Sequence, residues 1–289
     1  MDGDAWSSFV DQLHVSLKAR GWDFTITDET VDIRHPLKRR MGLQNLAQLC
    51  ATSPQGAWPR IIGEFLEASD RGLPLPPDSR WEDVKSLIKV RLVADDPESE
   101  ESKMNVRAAL APGISWSLVY DLPDVVQFVR WDRPAAWSMA LPDLFIHACQ
   151  NVRDQDPPER IRRHPLEGGG EFVSLDGPSL FVATHALWIQ EYVPEATESG
   201  LLLAVPDRNN VLAAAVLDQK SIHFALGRLL KAARKFHQIG PGSISPHIYW
   251  RTEQGWTLLP AGPEQGGVIE YTPPPSFVEM FNRLPLERN

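Results

Sequence analysis

Cysteine is nearly absent from this chain: Cys50 and Cys149 are the only two in 289 residues, and neither has a second thiol nearby to form a ligand or redox pair. Both are expected to be free and buried. Long apolar runs are missing too. The longest, 201–205 and 211–217, fall far short of a bilayer span, so no membrane segment is expected. The first residues, Met1-Asp-Gly-Asp, carry acids and no basic region of the kind that opens a signal peptide, which points to a cytoplasmic protein. Basic charge is in deficit, 29 Lys and Arg against 38 Asp and Glu, and the net charge of −9 argues against a dedicated nucleic-acid binder.

The usual chemical signatures are lacking as well. There is no Walker loop, no Gly-x-Gly-x-x-Gly after a strand and no His-Glu-x-x-His. The eight histidines show no ligand spacing, so neither a metal nor a cofactor is expected. Gly113-Ile-Ser-Trp-Ser117 lacks the second glycine of a nucleophile elbow. The three glycines at 168–170 are not followed by a helix whose N-terminus could hold a phosphate.

What is present is an ordinary globular composition, 43% apolar and 23% charged, in a chain long enough for two lobes. Phe9, Val10, Leu13 and Leu17 form a helical stripe that ends near Gly21. Trp22, Phe24 and Ile26, then Val31 and Ile33, alternate with polar residues around a turn at Asp28-Glu29 and predict a hairpin. Helical spacing returns over 42–50 and 58–68, and a Pro/Gly-rich loop follows at 70–77. The acidic run 95–102 has no apolar residue to bury and is expected to be a solvated loop.

Strands are expected at 114–120 and 125–131, joined by a turn over 121–124. Leu141, Leu144, Phe145, Ala148 and Val152 then mark an amphipathic helix whose outer face carries His147, Gln150 and Asn151. A loop at 154–170, a strand at 171–175 and a helix at 180–192 follow. Two apolar strands, 201–205 and 211–216, flank an exposed polar loop at 206–210. A long helix, 221–239, is stopped by Gly240-Pro-Gly242. A hairpin at 247–252 and 256–259 and a last helical segment at 275–283 complete an α+β protein. It is expected as two helix-plus-mixed or antiparallel-sheet lobes packed together: 1–94, an acidic loop 95–105, and 106–289.

Three of these segments carry a likeness. Leu118-Val-Tyr-Asp-Leu122, the helix 141–152 with Ala148 and Asn151, and Leu203-Ala-Val-Pro-Asp-Arg208 together resemble the YtpQ-like family of uncharacterised bacterial proteins. There a strand ending in Asp precedes a helix with Ala-x-x-Asn, then a strand ending in Val-Pro-x-Arg and a long helix. The resemblance covers roughly 107–259. It implies a fold and a bacterial cytoplasmic setting, and no reaction, because the family has no agreed activity. The chain departs from the pattern at Asp207-Arg208-Asn209, where an amide more often precedes the arginine and an acid follows it. It departs again at Trp137-Ser138, a site often read Trp-Gly.

Candidate sites are few. Asp207 and Arg208 end an apolar strand, where an arginine can hold a carboxylate or phosphate through two parallel hydrogen bonds. Lys220, Arg228, Lys231, Arg234 and Lys235 line the polar side of the long helix, a positive field suited to an acidic protein partner. Of ten tryptophans, Trp58, Trp81, Trp131, Trp137, Trp250 and Trp256 fall at element ends or in hairpins, as a docking surface would use them. The expectation is a non-catalytic binding or adaptor protein. The rival is an enzyme with a site around Asp121, Asp207 and Arg208. A deep pocket uniting those three with a histidine favours the enzyme, and a shallow apolar patch rimmed by tryptophans favours the binder.

Overall fold

Helical and alternating apolar patterns resolve into an α+β architecture. The computed structural model describes residues 3–27, 30–35, 39–71, 79–123, 125–167, 169–196, 198–266 and 268–287. The chain divides into two compact units, Met1–Pro77 with Leu122–Val126, and Asp78–Asp121 with Gln127–Asn289.

In the first unit, α1 (Gly3–Ala19) buries Phe9, Leu13 and Leu17, one residue per turn on a single face. Strands β1 (Asp23–Ile26), β2 (Thr30–His35) and β3 (Arg39–Gly42) form an antiparallel sheet in that order. Val31 and Ile33 point to the core, while Arg34 and Arg40 reach across to Asp23 and Asp32 on the outer face. Helix α2 (Gln44–Ala51), a 3-10 turn (Gln55–Ala57) and α3 (Trp58–Arg71) close the core with Leu46, Cys50, Trp58, Ile62 and Leu66. The expected hairpin is present, although its Asp28-Glu29 turn and most of the 70–77 loop lie outside the described residues.

The second unit opens with α4 (Trp81–Val84), β4 (Ile88–Ala94), α5 (Glu100–Met104), β5 (Arg107–Ala111) and β6 (Ile114–Asp121). The first-lobe boundary expected at 94 moves to 77, because β4 pairs along its whole length with β6, from Ile88↔Tyr120 to Ala94↔Ile114. The acidic run is not wholly a loop either: Ser99 accepts a hydrogen bond from the Ser102 N–H and caps α5. A short β7 (Val126–Phe128), α6 (Asp132–Ala136) and α7 (Leu141–Gln155) follow. The outer face of α7 is not free, since Asn151 donates to the Lys85 and Ile88 carbonyls, both at 2.7 Å. Cys149 is half-buried rather than buried, and desolvation pushes its thiol up to about 12.

Strands β8 (Arg160–Pro165) and β9 (Glu171–Asp176) come next, then a 3-10 segment (Val182–Glu191), β10 (Leu201–Asp207), β11 (Asn210–Ala215) and α8 (Gln219–Ile239). After these run β12 (Ile248–Thr252), β13 (Gly255–Leu259), β14 (Ala261–Gln265), β15 (Val268–Tyr271) and α9 (Pro275–Arg283). The loop expected at 154–170 contains β8, an exposed edge strand whose arginines pair with acids on β9: Arg160 and Arg162 with Asp176, Arg163 with Glu171. The helix expected at 180–192 is 3-10 and kinked at Trp188. Apolar on nearly every side, it has no solvent face along which a longer amphipathic α-helix could lie.

The main sheet is six-stranded and antiparallel, in the order β13-β12-β10-β11-β9-β8. Its centre, β10, is buried on both faces. Leu201, Leu203 and Val205 pack with Val182, Ala186 and Ile189 of the 3-10 segment, and Leu202 and Ala204 pack with Ile222, Leu229 and Ala233 of α8. Each such leucine contributes about 2 kcal/mol of burial. Asp218 and Ser221 cap α8 reciprocally, side chain to backbone. Gly200 precedes β10 at φ 87, where a Cβ would lie 2.3 Å from the Arg251 carbonyl oxygen. Only glycine fits there. Among the described residues no helix is long and apolar enough to cross a membrane.

Candidate functional site

The turn after β10 is less open than its sequence predicts. Pairing with β11 slips between Ala204 and Asp207, which turns Asp207 inward until none of its surface is exposed. Its Oδ1 accepts the Asn209 N–H at 2.7 Å, and both oxygens accept the Asn210 side-chain amide at 3.0 Å. Burial still pushes this carboxyl up to about 6, against the pull of the Asn210 amide and the Asn209 N–H. Gly240 lies against it: a Cβ there would sit 2.2 Å from Oδ2. Asp207 therefore shapes the turn and is not available to a ligand.

Arg208 behaves differently. Its backbone is fixed by Ala183 N–H donating to its carbonyl at 3.0 Å and by its own N–H donating to the Gly242 carbonyl at 3.1 Å. Asn209 anchors the turn by donating to the Gly177 and Ser179 carbonyls. The Arg208 side chain makes only a long contact to Asn209 Oδ1, 3.4 Å, and no ion pair with Asp207. Burial lowers its pKa, with the Asp207 charge opposing.

Asp121 belongs to another cluster. Lys89 of β4, 3% exposed, donates to Asp121 Oδ2 at 2.5 Å and to Asp156 Oδ2 at 2.6 Å. Ser179 Oγ donates to Asp156 Oδ1 at 2.8 Å, so Ser179 links this cluster to the Arg208 turn through its side chain and its carbonyl. His185 lies beside it, its ring nitrogens bonded to the Asp156 carbonyl and the Tyr192 hydroxyl, and burial lowers its pKa. Asp121, Asp207 and Arg208 are thus held by separate partners. Lys89 is thus paired with two acids, and both ring nitrogens of His185 are engaged.

Three of the five basic side chains on α8 pair with acids. Lys220 pairs with Glu287 at 2.7 Å, Arg228 with Glu167 at 2.8 Å and Lys231 with Glu264 at 3.0 Å. Arg234 donates to the Ala261 and Gly262 carbonyls. Of the five, only Lys235 has no side-chain partner among the described residues.

Of the six tryptophans singled out by the sequence, three are packed or hydrogen-bonded, two line a cleft, and Trp131 is 45% exposed. Trp58 is buried, with Nε1 donating to the Cys50 carbonyl; Trp250 donates to the Ser199 carbonyl and Trp256 packs on the main-sheet core. Trp81 and Trp137, by contrast, line an open cleft of about 320 Å³ with Ser79, Arg80, Glu82 and Arg133. Their ring centroids are 5.7 Å apart; His147 stands edge-on to Trp81, and Tyr120 stands edge-on to Trp137. Trp137 Nε1 donates to the Ser79 carbonyl at 3.0 Å, which fixes the indole. The next residue, Ser138, takes φ 55 as α6 ends, the conformation glycine adopts at a helix C-terminus.

The residues that sequence reasoning missed are Lys89, Arg91 and Ser117. Their signal was faint: Ile88-Lys-Val-Arg-Leu92 alternates as a strand does, but its basic positions read as solvent-facing. Among the described residues no group of three or more His, Cys, Asp or Glu is arranged to hold a metal ion. The fold and these sites define an α+β protein with an aromatic cleft and ion clusters largely satisfied from within. No family model, curated protein or solved structure matches the chain.

Proposed function

We propose that this chain is a non-catalytic binding or adaptor module of the YtpQ-like kind, working in the bacterial cytoplasm, and that it receives a protein segment at the Trp81–Trp137 cleft. The observation that carries this reading is the cleft itself. It presents two indoles, one pinned by a hydrogen bond, and is lined also by Arg80, Glu82 and Arg133. An aromatic anchor within a polar rim is the anatomy of an interface hot spot. The enzyme reading draws no support from Asp121 and Asp207, whose carboxylates are taken up by Lys89 and Asn210. An acidic partner on α8 is likewise weakened by the pairing of its cations.

The test is selection of peptides from a display library on the full chain, followed by affinity measurement against Trp81→Ala, with circular dichroism confirming the fold. Selected peptides are expected to lose at least about tenfold in affinity. Peptides that bind Trp81→Ala as well as the native protein would remove the cleft from the proposal.

A further inference from the structure

We infer that Arg91, Ser117 and Arg208 form a binding site for a phosphoryl dianion. Arg91 lies on β4 directly opposite Ser117 on β6, so the two side chains share one face of the sheet. Ser117 is 1% exposed and its hydroxyl has no hydrogen-bond partner. The Arg91 Nε is also buried and unpartnered, and its side chain makes no hydrogen bond or ion pair among the described residues. Buried polar groups are ordinarily satisfied, and unmet donors facing one another on a sheet mark a place where an acceptor belongs.

Arg208 is brought to this place by the 3-10 segment. Thr184 Oγ1 donates to the Val90 carbonyl, beside Arg91, at 2.9 Å, and the preceding Ala183 N–H donates to the Arg208 carbonyl. Arg208 and Arg91 are close enough for their charges to repel: burial first, then Arg208, lowers the Arg91 pKa to about 10. Neighbouring cations of the same β4–β6 sheet are matched, Lys89 by Asp121 and Asp156, Arg107 by Asp95. Arg91 and Arg208 are not. Two guanidinium forks and a hydroxyl supply donors from several directions around two positive charges, which fits a tetrahedral dianion better than a single carboxylate. Both arginines keep part of their surface exposed.

The test is calorimetric titration of the full chain with inorganic phosphate, glycerol phosphate and acetate at matched ionic strength. Either phosphoryl probe is expected to bind in preference to acetate, and the tighter of the two tells free phosphate from an organic phosphomonoester. Arg208→Gln, on a partly exposed turn, should weaken binding at least about tenfold, as should Arg91→Met where it folds. No heat from either phosphoryl probe at about 10 mM, or unchanged affinity in Arg208→Gln, would overturn the assignment. The site is independent of the cleft, so Trp81→Ala should bind phosphate normally. Loss of phosphate binding in that variant would move the site elsewhere.

Discussion

Asp207 is a carboxyl group with no exposed surface, held by asparagine donors and no cation. Its folded pKa of about 6 stands above the usual 3.8, so the folded chain holds a proton that the unfolded chain has already released. Stability therefore falls as pH rises through the window between about 4 and 6, by roughly 3 kcal/mol in all. Asp207→Asn cannot titrate. Measured by urea unfolding, wild-type stability minus that of the variant should decline by about this amount from pH 4 to pH 7. A difference that stays constant across the range would show that the carboxyl is not desolvated. Ser138 stores a smaller cost, because a side chain at φ 55 crowds the following carbonyl. Ser138→Gly should gain about 1 kcal/mol, seen as a higher melting temperature, and no gain would mean the serine is compensated locally.

Among the elements, β4 combines a buried cation with an edge position. Lys89→Met would leave Asp121 and Asp156 without their counter-charge, at a cost of about 3 kcal/mol, and adding Asp156→Asn should recover part of it. Chemical denaturation of the two variants checks this; a single variant as stable as the native chain would deny the cluster its clamping role. The same strand shows where sequence reading stops. α1, α7, α8 and the β10–β11 and β12–β13 hairpins were legible because apolar period follows burial there. β4 was not, because Lys89 and Arg91 occupy positions that water usually takes. β8 hid for the opposite reason: Arg-Ile-Arg-Arg-His offers almost nothing to bury. Arg208 could be picked out as a strand-end arginine, yet Arg91 and Ser117 reach it only through tertiary hydrogen bonds at Thr184 and Ala183. The burial of Asp207 was illegible too, since it follows from a slip in strand pairing.

At the scale of the molecule, the acidic excess of −9 sits beside cations that are mostly spent on internal acids, so the sequence total says little about any one surface. The unit boundary at 77 shows the same dependence on distant contacts: the Ile88–Ala94 strand belongs with its partner β6 and not with the residues up to 77 that precede it. One last consequence concerns crowding. One edge of the main sheet is β8, whose outer side is unpaired among the described residues, and such a rim invites strands from other chains. Here an incoming strand would have to desolvate Arg160, Arg162 and Arg163 and meet Pro165, which has no N–H to offer. An arginine-rich strand ending in proline thus opposes the addition of a further strand at this edge.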